Sequence, residues 1–272
     1  MIPNVLSIAG SDPSGGAGMQ ADIKAISANG AFAMAAITAL TVQNTRGVRD
    51  ICLVSPSFVH GQIQAVFDDI HVHAVKIGMI ANAEIAHAVA EALAGQDIPI
   101  VLDPVMIAKG GASLLDLSAV AVVREALLPM ATVLTPNLLE AAHLLGTEVA
   151  TTRPDMEMQG RALLALGSAA VLVKGGHLTG DDCPDCLVTA DSCVWFESAR
   201  IATRKTHGTG CTLSSALAAQ IAHMRDLPAA AAAAKSYVTA AIAQADDLNV
   251  GSGHGPTHHF ASFYIPSEET RS

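Results

Sequence analysis

A chain of 272 residues, 51% of them hydrophobic, can bury one large core, and no shift in composition marks a linker, so one domain spanning 1–272 is expected. With 15 Lys and Arg against 25 Asp and Glu, the formal charge is −10, which excludes a surface of concentrated basic residues for nucleic acid and points to a small-molecule partner. The longest apolar stretch, Ala31 to Leu40, is too short for a membrane helix, "MIPNVLSIAG" lacks a cationic start and cleavage signature, and five scattered cysteines suit reduced thiols, so a cytoplasmic protein is expected.

The first predicted element is a strand, "NVLSIAG", followed by "AGSDPSGGAGMQADIK", a glycine-bearing turn ahead of a helix. Gly10, Gly15, Gly16 and Gly18 let backbone approach a ligand closely. Their spacing is not G-x-G-x-x-G and no acidic residue follows a second strand, so a dinucleotide site is rejected. Asp12 and Asp22 offer carboxylates, and Gln43 an amide that both donates and accepts. The plainer reading has Asp12 capping a turn and Asp22 on a solvated helix face. Further apolar runs, "AVKIG", "PIVLDPV", "ATVLTPN" and "AAVLVKGG", alternate with helical patterns. That alternation predicts an α/β fold, a mostly parallel sheet with helices on both faces. Polar residues follow the strands' C-terminal ends, the edge where open sheets of this kind hold ligands.

Asp103 in "LDPVMIAKGG" and Asn137 and Glu140 in "TPNLLEAAHLL" follow two successive central strands. Hard oxygens and an amide suit Mg²⁺, which keeps several waters and binds phosphates more than protein. Taken alone, Asn137 is an N-cap and Glu140 its capping-box partner. Lys109 lies in a glycine-bearing loop that could fold over a substrate, and Lys174 ends a strand. The segment "HLTGDDCPDCLVTADSCVWFESARIATRKT" reads as a hairpin, a small β excursion at the sheet edge. Within it Cys183, Cys186 and Cys193 invite zinc but lack a fourth ligand, so a polar loop is the better reading. In "THGTGCTLSSALAA" the backbone N–H groups of Gly208, Thr209, Gly210 and Cys211 open a helix and form an anion hole. With Lys174 near Glu140 and Asp103, they complete a phosphoryl-transfer site without a Walker sequence. Pro228 then opens an alanine-rich helix to about Asp247.

Seven of these stretches, "AGSDPSGGAGMQADIK", "ALTVQNT", "KIGM", "DPVMIAKGG", "TPNLLEA", "VKGGH" and "HGTGCTLSSALAA", occur in one order across nearly the whole chain. In that order they resemble the hydroxymethylpyrimidine/phosphomethylpyrimidine kinases of thiamine biosynthesis, ribokinase-like enzymes. The resemblance implies ATP and Mg²⁺ as cofactors and two successive phosphorylations of 4-amino-5-hydroxymethyl-2-methylpyrimidine. It also implies pyrimidine contacts at Gln43, Gly10, Asp22 and Met79, and metal and phosphate contacts at Asp103, Glu140 and Asn137. Lys174, Thr209 and Lys235 fall on the nucleotide side, and Gly208, Gly210 and Cys211 in the anion hole. A homodimer is expected on the resemblance alone.

Most ribokinase-like relatives carry Asp at the position of Cys211. Here the cysteine is expected to shape the anion hole first, to act as a weak proton acceptor second, and as a covalent nucleophile least. The tail "GHGPTHHF" also resembles the family, with no physical role evident for His254, His258 or His259. The rival readings are a pyridoxal kinase, whose substrate is also a flat ring with a hydroxymethyl group, and a non-catalytic nucleotide or pyrimidine sensor. Gln43 favours an aminopyrimidine, and a sensor needs no transition-state apparatus. A cysteine hydrolase lacks a paired His and Asn arrangement.

Overall fold

The computed structural model describes residues 1–106 and 117–263, and Lys109 with its neighbouring glycines lies outside them. In chain order the strands are β1 (Asn4–Ala9), β2 (Phe32–Ile37), β3 (Ala39–Asn44), β4 (Gly47–Leu53), β5 (Ala74–Ile77), β6 (Ile100–Leu102), β7 (Val133–Leu134), β8 (Val171–Lys174), β9 (Asp185–Val188) and β10 (Cys193–Phe196). The helices are α1 (Gly18–Ala28), α2 (Pro56–Phe67), α3 (Ala83–Leu93), α4 (Leu117–Val122), α5 (Leu138–Leu145), α6 (Arg153–Leu164), α7 (Thr209–His223) and α8 (Leu227–Ala243). Eight strands form one sheet in the order β10-β9-β8-β7-β6-β5-β1-β2, and β3 pairs with β4 in a separate hairpin.

Alternate residues of the central strands serve two cores. Leu6, Ile8, Ile77, Leu102 and Leu134 pack with Ile63, Val89, Leu144 and Met156 of α2, α3, α5 and α6. Val5, Ala74, Val101, Val133 and Leu172 pack on the other face with Ile26, Leu217 and Ala234 of α1, α7 and α8. Because both faces are covered, the strands are spelled as continuous apolar runs. All pairings from β2 to β8 are parallel, so the carboxyl ends of six strands open on one edge. The alanines of α8 have a packing reason: Ala230, Ala231 and Ala234 are buried against the equally small Ala216, Ala218 and Ala219 of α7.

The hairpin expected after Lys174 is β9–β10, and it extends the main sheet antiparallel to β8. Its cysteines divide: Cys183 lies in the loop before β9, as the plainer reading had it, whereas Cys186 and Cys193 lie in the strands themselves. Cys186 and Cys193 sit on adjacent strands with their sulfurs 2.9 Å apart, and no group of three metal-ligating side chains exists among the described residues. The alanine-rich helix ends at Ala243, with a short 3-10 turn over Ala245–Asp247. Two elements were not expected: edge strand β2, and the β3–β4 hairpin with a bulge between Val42 and Gln43. No described helix is long and apolar enough to cross a membrane.

Candidate active site

The carboxyl ends of β1, β5, β6 and β8, with the loops that follow them, surround a cleft of about 470 Å³. Its first wall is the loop after β1, organised by Asp12. The Asp12 Oδ1 atom accepts from Ser14 N at 2.9 Å and Ser14 Oγ at 2.7 Å, and Oδ2 from Ala17 N at 2.9 Å and His207 Nε2 at 2.7 Å. Burial opposes the charge of Asp12, but bonds from His207 and Ser14 outweigh it and hold its pKa below the usual range. An ionised acceptor 2.7 Å away requires the proton on His207 Nε2. Asp12 thus caps its turn, as the plainer reading had it, and also ties that turn to the start of α7.

The two glycine loops meet backbone to backbone. Gly208 has φ 76° and caps α7. Any Cβ there would run into the Gly16 carbonyl, and a Cβ on Gly18 (φ 55°) would run into that of Gly10. Thr209, Gly210 and Cys211, in the first turn of α7, line the cleft, where N–H groups lack intrahelical acceptors and the helix dipole favours anions. A Cβ on Gly210 would sit 3.3 Å from Lys174 Nζ and 3.6 Å from Asp103 Oδ2, so this turn faces the charged cluster directly.

That cluster joins three strand ends. Lys174 Nζ lies 2.9 Å from Asp103 Oδ1 and 3.8 Å from Glu140 Oε2. Burial works against the ammonium, yet Asp103 and Glu140 hold its pKa above the ordinary lysine range. Glu140 is pushed up to about 7, burial and the neighbouring Asp103 opposing the pull of Lys174. The capping box is also present: Asn137 Oδ1 accepts from Glu140 N at 2.9 Å and Glu140 Oε2 from Asn137 N at 2.7 Å. The capping reading of "TPNLLE" therefore holds, and capping α5 is what fixes the Glu140 carboxylate beside Lys174. Two carboxylates flanking one ammonium are no closed metal cage, and they fit a Mg²⁺ carried chiefly by phosphate oxygens and waters.

Cys211 differs from expectation. Its thiol is pushed up to about 12, burial and the carboxylates of Asp22 and Asp103 prevailing over Lys76. A thiol that keeps its own proton at neutral pH has no place for another, which favours the shaping of the anion hole over the role of proton acceptor in the ligand-free chain.

On the opposite wall the β-bulge aims Gln43 into the cleft, beside Gly10 and Met79. The Gln43 amide lies 3.2 Å from Thr41 Oγ1 and 3.4 Å from His207 Nε2. The His207 nitrogen already donates to Asp12 and has no lone pair to offer, so the Gln43 NH₂ remains available to a ligand.

Two expected contacts fall elsewhere. Asp22 does not line the cleft; fully buried, it receives Lys76 Nζ at 2.9 Å on both oxygens, plus Ser7 and Ser215. Lys235 is bound to Asp185 Oδ2 and Cys183 O, each at 2.8 Å, and stands behind the cleft rather than in its wall. Conversely, Lys76 and Arg46 line the cleft without having been singled out, and so does His254, for which no role was evident. The sign in the sequence was a lysine inside the buried strand "AVKIG". His259 bonds Thr212 Oγ1 at 3.1 Å and is held neutral by burial and Lys24, its pKa lowered to about 4, which is a packing role.

A helix N-terminus aimed at a buried lysine between two carboxylates is equipment for moving phosphate, and on an open parallel sheet with no Walker loop it defines the ribokinase-like class of small-molecule kinases. Sequence comparison makes the class specific. The family described as phosphomethylpyrimidine kinase matches residues 12–258. A hydroxymethylpyrimidine/phosphomethylpyrimidine kinase of Escherichia coli is 50% identical over 262 residues, covering 96% of this chain and 98% of that one. Among solved structures, a Bacillus subtilis pyridoxal kinase in complex with ADP superposes with TM-score 0.89 at 34% identity, covering 96% of this chain and 99% of that one. A Clostridium difficile phosphomethylpyrimidine kinase gives TM-score 0.78 at 40% identity over 88% and 99%. The chain belongs to the phosphomethylpyrimidine kinase family.

Proposed function

We propose that the chain transfers the γ-phosphoryl group of ATP to the hydroxymethyl oxygen of 4-amino-5-hydroxymethyl-2-methylpyrimidine, and then phosphorylates that monophosphate to the diphosphate. The observation that carries this reading is one cleft holding, on facing walls, the Gln43 amide with its NH₂ available and the α7 anion loop beside Lys174. The amide pairs with the ring nitrogen and amino group of the pyrimidine, and the loop with the phosphates.

In the first step the hydroxymethyl oxygen bonds to the γ-phosphorus and the bond to the β–γ bridging oxygen breaks. ADP leaves with that electron pair, and the hydroxyl proton passes to an oxygen of the transferred group. Such transfers proceed through a loose transition state that asks for positioning and charge neutralisation more than for a base, which suits a protonated Cys211. Lys174 and the N–H groups of Gly208, Thr209 and Gly210 hold the transferring oxygens in this scheme. Asp103 and Glu140, with Asn137 positioning Glu140, would hold the waters of a Mg²⁺ that neutralises phosphate charge. In the second step the acceptor is already an ionised phosphate and no proton is removed.

The proposal includes a homodimer through the β3–β4 hairpin, supported by Leu40 and Val42, exposed on one face of it together with Cys52 opposite Leu40. Exposed apolar side chains grouped on one surface favour a protein contact. ADP release measured separately with the hydroxymethylpyrimidine, its monophosphate and pyridoxal tests the activity. Turnover with pyridoxal alone would replace this reading by the vitamin B6 kinase, and nucleotide binding without turnover by the sensor.

A further inference from the structure

Lys76 is the next-to-last residue of the central strand β5, and it and Asp22 of α1 are both fully buried. Register pairs Lys76 with Ser7 of β1, on the sheet face where Val5 and Ala74 pack as apolar neighbours. The Asp22 carboxylate is well supplied: Lys76 Nζ at 2.9 Å on both oxygens, Ser7 Oγ at 2.6 Å and Ser215 Oγ at 2.8 Å. The ammonium has three N–H groups and hydrogen-bonds only that carboxylate. At least one N–H therefore has no acceptor among the described residues. The two ends of the pair also differ in place, since Lys76 borders the cleft and Asp22 does not.

Room for this ammonium is kept deliberately by the backbone. A Cβ on Gly78 would lie 2.5 Å from Lys76 Nζ, which accounts for the glycine in "KIGM". Stability alone explains such a pair poorly, because replacing a buried ion pair by apolar residues of similar volume is often neutral or better. The other lysine in the wall is already offset, Lys174 standing between Asp103 and Glu140.

We infer that Lys76 is a fixed cation of the phosphoryl-transfer site, held by Asp22 beside the α7 anion loop, where it offsets the negative charge that gathers when the acceptor is itself a phosphate ester. The inference rests on the proposed function. A neutral alcohol brings no charge to that corner, whereas a phosphate ester approaching the γ-phosphate brings strong repulsion. A dehydrated cation in a low-dielectric wall acts on such charge far more strongly than a solvated one. Its orientation is paid for in advance by Ser7, Ser215 and Asp22, so none is lost at the moment of reaction.

The test measures kcat/KM for the hydroxymethylpyrimidine and for its monophosphate in wild type, Lys76→Met, Lys76→Met/Asp22→Asn and Gly78→Ala, with thermal melting of each. Lys76→Met leaves Asp22 buried and unpaired and loses stability. The double variant relieves that charge and recovers melting, while Gly78→Ala displaces the ammonium without removing it. In all three the monophosphate reaction should fall about tenfold to a hundredfold, the range for loss of one charged donor, and the alcohol reaction less than about threefold. Equal losses on both acceptors, recovery of monophosphate turnover in the double variant, or a wild-type ratio in Gly78→Ala would overturn the inference. A wild-type chain inactive on both acceptors would instead overturn the functional reading beneath it.

Discussion

Asp12 and His207, 195 residues apart in sequence, are joined by a 2.7 Å hydrogen bond that ties the loop after β1 to the start of α7. Breaking it should loosen both walls of the acceptor site together. In Asp12→Asn the amide can still face Ser14, but His207 loses its ionised acceptor. Pyrimidine affinity should fall about tenfold, as for loss of one charge-assisted bond, with nucleotide affinity nearly unchanged; calorimetry with each ligand alone reads both. The sign with pH is also set. Because Asp12 is lowered from 3.8 in the folded state, its stabilisation is present above that value and is lost as pH falls through the folded pKa. Acid melts of the Asn variant should lack this component.

Gln43→Leu keeps bulk and removes the amide. A buried ring nitrogen and amino group without partners cost roughly 1–3 kcal/mol, about a tenfold to hundredfold loss of pyrimidine affinity. ATP binding measured without pyrimidine should hold, and an equal loss of both would put the acceptor in the wrong part of the cleft.

Glu140, raised from 4.5 to about 7, binds more protons in the folded chain than in the unfolded chain between those values. Its contribution to stability is therefore greatest below pH 4.5 and falls as pH rises through about 7. Glu140→Gln should flatten that slope in melts of the ligand-free protein, by an amount on the order of 1–3 kcal/mol. Binding of Mg²⁺ with nucleotide near neutral pH should release a proton in the wild type, seen as a dependence of calorimetric heat on buffer ionisation, and should not in the Gln variant.

Cys211→Ser should keep measurable kinase activity, since the protonated thiol only fills and shapes the loop. Cys211→Asp adds a charge beside the acceptor and should harm the second phosphorylation more than the first. Separate kinetics on the two acceptors check this, and equal losses would remove the charge argument. A phospho-enzyme trapped on Cys211 would remove direct transfer as well.

Much of this architecture was readable beforehand for one reason. Strands covered on both faces must be apolar at every position, so "NVLSIA" and "VLVK" announce themselves, and the polar residue closing each one marks the ligand edge. The failures have equally physical origins. Strand β2 is short of large apolar residues and its Phe32 is exposed, as befits an edge, so its pattern blends with the alanines around it. The β3–β4 hairpin closes around Gly47, without the Asn-Gly or Asp-Gly pair that announces tight hairpins. The site residues divide in the same way. Asp103, Glu140, Lys174 and the α7 loop lie at or just beyond strand and helix ends, whose position periodicity reveals, whereas Gln43 sits inside the unexpected strand β3 and stood out only by its amide and the resemblance. Asp22 and Lys235 lie on helices, and which side of the helix meets the cleft depends on rotation and packing. Lys76 was passed over although a lysine in a fully buried strand demands a counter-ion, and that demand is visible in sequence.

His254 N donates to Thr45 O at 2.9 Å, and His207 N to Gly255 O at 3.0 Å. The segment around Gly255 thereby braces two walls of the cleft, the hairpin that bears Gln43 and the approach to the anion loop. On a ribosome this segment is made long after the sheet strands it braces. Sheet and helices can begin to assemble as they emerge, but the acceptor pocket waits for nearly the last residues of the matched region, 12–258. A nascent chain stalled after α8 would carry every charged group of the transfer site on its scaffold and still lack the strap that sets the distance between its walls. Closure of the acceptor pocket is thus expected late in synthesis, after the scaffold of the transfer site has been made.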